Sequence, residues 1–330
     1  MTRRHSSSSA GSLCSSAGQS QPARQVAARA STFHGSGVLA TTVLELFCGI
    51  GGCAAALGDR AVVVAAIDQH RGALDAYACN FSHPVVPRAI ESIPRQQWRA
   101  WGADLWWMSP PCPPFTRRGL QRDLDDPRTR SFVALVDQVA AVRPRYVALE
   151  NVPGFAGSRA HVLLLEALAA GGYAVRDTLL CPSELGAPTR RLRFYLVAGL
   201  GPLADWPPRR GAQRRLADVL DASPDPALWC DDALHRRYAG ALDIVEAHDP
   251  GALTACFTAA YGRSPVRSGS YLSTPRGLRR FSPAEILRLL DFPDSYRLPA
   301  GLSLRAAWAR VGNSVSVRAV KWVLGAVPGV

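Results

Sequence analysis

Ala103-Asp104-Leu105-Trp106-Trp107-Met108-Ser109-Pro110-Pro111-Cys112-Pro113-Pro114-Phe115-Thr116 begins as an apolar run of strand length and stops at four prolines around one thiol. Proline fixes φ and has no amide for ladder pairing, so the chain continues there as a rigid loop. Open α/β sheets bind their ligands outside the carboxyl ends of their strands. The stretch therefore reads as a buried strand whose end loop aims Cys112 at a ligand. On this stretch alone, a cysteine simply packed into a proline-rich turn is the alternative.

Outward from this run, strand-like and helix-like patterns alternate. Residues 42–47 and 61–67 read as strands joined by a glycine turn and a short helix. Residues 131–142 place Phe132, Leu135, Val136 and Val139 at helical spacing. A strand over 146–149, a helix near 161–170 and a strand over 194–198 follow. The alternation predicts an α/β fold with a doubly wound, mostly parallel, Rossmann-like sheet. Pro207-Pro208 breaks the rhythm, and residues 201–279, rich in Arg, Pro, Gly and Ser, read as a small irregular domain. Regular structure returns over 280–330. Ser282, Pro283 and Glu285 there spell a helix start with a capping box, and a last helix is expected over 315–324.

The chain has 330 residues, 48% hydrophobic and 19% charged, enough to bury a sizeable core. No apolar run approaches the roughly 18 residues of a membrane helix, so a soluble protein with no membrane partner is expected. The formal net charge of +12 favours a polyanionic partner such as nucleic acid. Lys321 is the single lysine, a bias that high-GC coding would produce, although coding bias does not explain the excess of basic over acidic residues. The eight cysteines form no C-x-x-C pair and have no histidine cluster beside them. A reducing compartment and no metal site follow as expectations. Residues 1–40 are rich in Ser, Ala and Arg and hold no acidic residue. They read as a disordered tail, with an organellar transit peptide as the alternative. A cytoplasmic monomer is expected.

Three further motifs carry chemistry. Phe47-Cys48-Gly49-Ile50-Gly51-Gly52 follows the first strand, and a second strand ends at Asp68, placed to bind ribose hydroxyls. The pair points to an adenosine-containing cofactor, either nicotinamide-like or S-adenosylmethionine. Glu150-Asn151-Val152 ends the strand over 146–149, on the same rim as Cys112 and Asp68. Arg191 and Arg193, alternate residues before another strand, would share one face as an anion clamp or as a solvated basic edge. A thiol and a carboxylate together suit carbon-5 of cytosine, a poor nucleophile. Thiolate addition at carbon-6 makes carbon-5 enamine-like, and an acid at N3 stabilises the charge in the ring.

Phe47-x-Gly49-x-Gly51-Gly52, Pro110-Pro111-Cys112, Glu150-Asn151-Val152, Arg191-x-Arg193 and Gly312-Asn313-Ser314-Val315 resemble, in order and spacing, the motifs of the cytosine-C5 methyltransferase family. The resemblance runs over about residues 42–324. It implies S-adenosylmethionine as cofactor, Cys112 as nucleophile, Glu150 as the N3 partner, and Arg191 and Arg193 beside the base. It also implies that Phe47, Gly49, Ile50, Gly51, Asp68, Pro110, Asn313, Ser314 and Val315 line the cofactor pocket. Residues 41–200 would then be the catalytic and cofactor-binding domain, with 280–330 returning to it, and 201–279 the target-recognition domain.

The longer match Ser109-Pro110-Pro111-Cys112-x-Pro114-Phe115-Thr116-Arg117, with Cys256-Phe257-Thr258 and Tyr261-Gly262, resembles the branch that methylates cytosine-38 of tRNA(Asp). It implies tRNA as the preferred substrate and DNA as the alternative. Arg117, Asn151, Cys256, Phe257, Thr258 and Tyr261 would contact it, with Arg263, Arg267, Arg276, Arg279 and Arg280 on phosphates. Pro113 and Thr189 depart from the family's glutamines at those positions. A non-catalytic nucleic-acid-binding relative and a nicotinamide-dependent enzyme are the rivals. The first leaves the intact Cys112, Glu150 and arginines unexplained, and the second leaves the proline-cysteine loop unexplained.

Overall fold

The computed structural model describes residues 40–115 and 122–330. Strands β1 (Thr41–Leu46), β2 (Ala61–Asp68), β3 (Val85–Pro87), β4 (Leu105–Met108), β5 (Tyr146–Asn151), β6 (Ala174–Leu180) and β7 (Arg193–Gly199) form one sheet in the order β3-β2-β1-β4-β5-β7-β6. The pairs among β1 to β5 are parallel, and β7 runs antiparallel to both of its neighbours. This is the mostly parallel, Rossmann-like α/β sheet that the alternation predicts. Every residue of β4 and β5 is buried. Their continuous apolar runs follow from cover on both faces, as parallel sheets require.

The helices are α1 (Gly52–Leu57), α2 (Arg71–Ala78), α3 (Arg95–Trp101), α4 (Arg130–Val142), α5 (Arg159–Ala170), α6 (Asp232–Arg237), α7 (Pro283–Leu289), α8 (Leu304–Gly312) and α9 (Val317–Leu324). Side chains alternate across the strands into two cores. On one face, Val43, Leu105, Trp107 and Val197 pack with Cys53 and Leu57 of α1, Val311 of α8 and Val320 of α9. On the other, Leu44, Trp106, Met108 and Leu149 pack with Trp98 of α3, Phe132 and Leu135 of α4, and Leu164 of α5.

Local signals explain the helix starts. Ser158 Oγ accepts the His161 N–H at 3.1 Å ahead of α5. The capping box before α7 is present, with Ser282 Oγ on the Glu285 N–H at 3.0 Å and Glu285 Oε2 on the Ser282 N–H at 2.7 Å. The last helix starts two residues later than its apolar pattern, because Ser316 caps it.

Two strands escape the sequence reading. β3 has only three residues and ends at a proline, and β6 is a largely exposed edge strand with one buried residue, its apolar run interrupted by Arg176, Asp177 and Thr178. The stretch 201–279 is also less irregular than its composition predicts. β8 (Asp243–Glu246) and β9 (Ser270–Thr274) lie in it and, with β10 (Gly277–Arg280), form a second sheet in the order β10-β9-β8. Its Leu228, Phe257 and Leu272 belong to the same apolar cluster as Val43 and Val320.

Candidate active site

β4 and β5 pair in parallel from Leu105 beside Tyr146 to Met108 beside Leu149, so the segments that leave their carboxyl ends emerge side by side. One carries Pro110, Pro111 and Cys112; the other ends in Glu150 and Asn151. Asn151 joins them: its Nδ2 donates to the Pro110 carbonyl at 3.3 Å, and its Oδ1 accepts the Val152 N–H at 2.8 Å. The Phe115 N–H donates to the Cys112 carbonyl at 2.9 Å, closing a helical turn over Pro113–Phe115. A Cβ on Gly154 would lie 2.2 Å from the Phe115 carbonyl oxygen, so this close approach of the two loops requires glycine.

Cys112 is half-buried, with Sγ 3.8 Å from the Pro110 carbonyl. Burial and the Glu150 carboxyl push its thiol up to about 12 against the pull of Arg193 and Arg191, so it is neutral at rest. Glu150 is 3% exposed. Burial raises its pKa above the ordinary carboxyl value, while Arg193 and Arg191 pull it back. Arg193 Nε lies 3.2 Å from Glu150 Oε1, with its N–H turned off the line of a good hydrogen bond. The contact is made at a single point and is not a bidentate clamp.

The arginine segment is held against residues 254–258. Thr189 and Thr254 form a parallel bridge, with their hydroxyls 2.8 Å apart. In that register Arg191 Nη1 donates to the Phe257 carbonyl at 2.8 Å and approaches Cys256 Sγ at 3.3 Å. Its Nη2 donates to the carbonyls of Gly312, at 3.2 Å, and Ser314. Arg193 Nη2 reaches Cys256 Sγ at 3.7 Å. Both guanidiniums thus converge on Cys256. Arg191 ties the arginine segment to the 312–314 loop.

The glycine turn lies on the same rim. Asp68, at the end of β2, accepts the Gly49 N–H at 3.0 Å and the His70 N–H at 2.8 Å. Phe47 and Gly49 take left-handed φ of 55° and 54°, and a Cβ placed on Gly49 would meet nothing within 4 Å. The space above Gly49 is open and lies beside the partly exposed Asp68 carboxylate. Ile50 is buried, and its carbonyl accepts Tyr296 Oη at 2.6 Å. Ser314 and Val315 are buried beside Gly52, and Asn313 is exposed.

Four substrate expectations are corrected by burial. Asn151 is fully buried and touches the thiol loop. Phe257 and Tyr261 are 4% and 1% exposed. They pack edge to face, and Tyr261 Oη bonds the Ser270 carbonyl at 2.7 Å and the Phe281 N–H at 2.9 Å. These two side chains shape the segment that presents Cys256 and Thr258, both of which line an open pocket of about 430 Å³. Arg279 is not on the surface: it forms a bidentate pair with buried Glu285 at 2.7 and 2.8 Å. Arg117, Thr116 and the tail over 1–39 lie outside the described residues.

The sequence reading missed Glu45. It is 1% exposed in β1 and accepts the Cys53 N–H at 3.2 Å, the Ala54 N–H at 3.4 Å and Tyr77 Oη at 3.0 Å, beneath the glycine turn. A lone carboxylate in an apolar strand was the signal. Among the described residues no cluster of His, Cys, Asp or Glu could hold a metal ion, and no helix is long and apolar enough to cross a membrane.

Comparison with known proteins agrees with this geometry. The family model described as C-5 cytosine-specific DNA methylase matches residues 41–225. A tRNA (cytosine(38)-C(5))-methyltransferase of Spodoptera frugiperda is 31% identical, over 86% of this chain and 97% of that protein. A DNA (cytosine-5)-methyltransferase of Dictyostelium discoideum is 28% identical, over 86% and 93%. The crystal structure of a Spodoptera frugiperda DNMT2 mutant superposes with a TM-score of 0.76 at 30% identity, over 86% of this chain and 98% of that one.

Proposed function

The chain belongs to the C-5 cytosine-specific DNA methylase family, and on that premise we propose that it methylates carbon-5 of cytosine in tRNA through a covalent Cys112 adduct. The observation that carries the chemistry is the shared rim: Asn151 and Pro110 bind the thiol loop to the strand end that holds Glu150. S-adenosylmethionine, when bound, supplies an electrophilic methyl group. Asp68 would take the ribose hydroxyls, and the turn from Phe47 through Gly51, Pro110 and the 313–315 loop would hold the rest.

The chain's own residues do the remaining work. As the base docks, Cys112 passes its thiol proton to solvent water, and its sulfur adds to carbon-6. Electron density then moves toward carbon-5 and N3. Glu150, whose carboxyl burial pushes above the ordinary carboxylate range against the pull of Arg193 and Arg191, would act in its protonated form, donating to N3 and stabilising the charge there. After methylation solvent water takes the carbon-5 proton, the electrons of that bond re-form the ring double bond and expel the Cys112 sulfur as thiolate, and Glu150 keeps its proton as the charge at N3 is lost. Arg193 holds Glu150 in place, and Arg191 fixes the loop beside it.

Residues 201–279 would serve as the target-recognition unit. That segment is short, which suits an unpaired loop base that costs little to extrude. The similarity to a tRNA (cytosine(38)-C(5))-methyltransferase supports the same substrate. The Dictyostelium relative keeps DNA as the second reading. Tritiated methyl transfer to total tRNA and genomic DNA in parallel separates them. Label in tRNA alone is the expected result; label in DNA alone would overturn the substrate and leave the chemistry standing.

A further inference from the structure

Resting on the proposed role of Glu150, we infer that Cys256 is a positioning residue: its thiolate balances the charge of Arg191 and Arg193, so that the Glu150 carboxyl keeps its proton. Two guanidiniums are withdrawn from water here, Arg191 at 5% exposure and the Arg193 side chain at 13%. Among the described residues Arg191 makes no ion pair with a carboxylate. Its partners are the neutral carbonyls of Phe257, Gly312 and Ser314 and the sulfur of Cys256, and its Nε has no acceptor. Arg193 has Glu150 Oε1 at 3.2 Å. Two buried cations therefore face one carboxyl group. If that carboxyl ionises to balance them, it has no proton for N3. If it stays protonated, both cations lack a counter-charge, which burial does not tolerate.

Cys256 resolves the conflict by position. Its Sγ lies 3.3 Å from Arg191 Nη1 and 3.7 Å from Arg193 Nη2, so one sulfur serves both cations. Adjacent guanidiniums favour the thiolate form of cysteine. Burial pushes the Cys256 thiol up, but the two arginines outweigh it and bring it below the ordinary thiol value, opposite to Cys112. The other titratable groups that face this centre are Tyr195 of β7, Glu150 of β5, Cys112 of the thiol loop and Cys181, whose Sγ accepts the Arg191 N–H at 3.3 Å. Asp243 and Arg267 line the same pocket as Cys256, and Asp243 is engaged by the Ser270 hydroxyl.

The test begins with thiolate absorbance near 240 nm, read on the full chain without substrate. At about neutral pH the wild type should exceed Cys256→Ser by about one thiolate per chain. On the wild type, mass-mapped alkylation of Cys256 by iodoacetamide through the open pocket should be nearly constant between about pH 7 and pH 9, because the reactive form is already present. No absorbance difference, or an alkylation rate that climbs about tenfold per pH unit from pH 7, would overturn the inference without reference to any reaction. In methyl transfer, Cys256→Ser leaves Glu150 as the sole counter-charge. The alkaline loss of kcat should then move down by about one pH unit, and Cys256→Asp should restore it. An unmoved profile also overturns the inference. A wild type that carries the thiolate and transfers no methyl group would instead overturn the proposed function.

Discussion

Asn151 Nδ2 donates to the Pro110 carbonyl at 3.3 Å from a side chain with no exposed surface. This bond links the strand end that carries Glu150 to the loop that carries Cys112. The loop contributes few amides of its own, since four of the five residues from Pro110 to Pro114 are prolines. Its position therefore depends on a few such ties and on the contact over Gly154.

Asn151→Ala should keep the sheet and lose the tie. Leaving a buried carbonyl unpaired costs roughly 1–3 kcal/mol. We expect kcat to fall about tenfold to a hundredfold, with S-adenosylmethionine affinity unchanged in calorimetry. Equal losses in kcat and cofactor affinity would show that the bond supports the whole rim instead.

Cys112→Ser should abolish methyl transfer and still bind cofactor. A hydroxyl at this position is too weak a nucleophile to add to carbon-6. The variant should also fail to form the covalent adduct that 5-fluorocytosine-containing tRNA traps. Near-normal turnover by Cys112→Ala would remove the thiol from the mechanism.

The strands that build the site were legible in the sequence because each is a short apolar run that a proline, a glycine or a charged residue ends. Asp68, Cys112 and Glu150 could be assigned to one rim for that reason. β6 was not legible, because an edge strand shows polar residues that resemble a loop. Nor was the fate of Arg279, Phe257 and Tyr261. Their flanking sequence shows no clean periodicity, and Glu285, Phe281 and Trp308 pack against them from other segments. Periodicity does not register partners of that kind.

Asp68→Ala should weaken S-adenosylmethionine binding by about 1–3 kcal/mol, the range for an unpaired polar partner. Both Asp68 oxygens already hold backbone amides, of Gly49 and His70. The variant should thus loosen the glycine turn as well. Calorimetry at constant ionic strength reads the change, and an unaltered dissociation constant would move the ribose site elsewhere.

Arg279→Met should act on stability, not on nucleic-acid affinity. Arg279 and Glu285 are 2% and 0% exposed, and Glu285 also holds the Asp221 N–H at 2.8 Å. Removing one partner of a buried pair costs about 3–5 kcal/mol, because the other charge is left behind. Urea unfolding should show that loss. The salt dependence of tRNA binding should keep its slope, which a phosphate contact would reduce by about one unit.

Glu45 makes stability depend on pH. Burial lifts its pKa from 4.5 to about 8, against its hydrogen bonds from Tyr77, Ala54 and Cys53. Between those values the folded chain holds a proton that the unfolded chain has lost. The contribution is therefore fully present below about pH 4.5 and disappears as pH rises through about 8, at up to about 1.4 kcal/mol per pH unit. Tyr77 Oη donates to Glu45 Oε2 at 3.0 Å and also lies 2.9 Å from His83 Nδ1. Glu45→Gln keeps those donors and acceptors and removes the titration. Its denaturation midpoint should match the wild type near pH 5 and exceed it near pH 8. Parallel pH profiles for the two proteins would mean that Glu45 is ionised in the native state throughout.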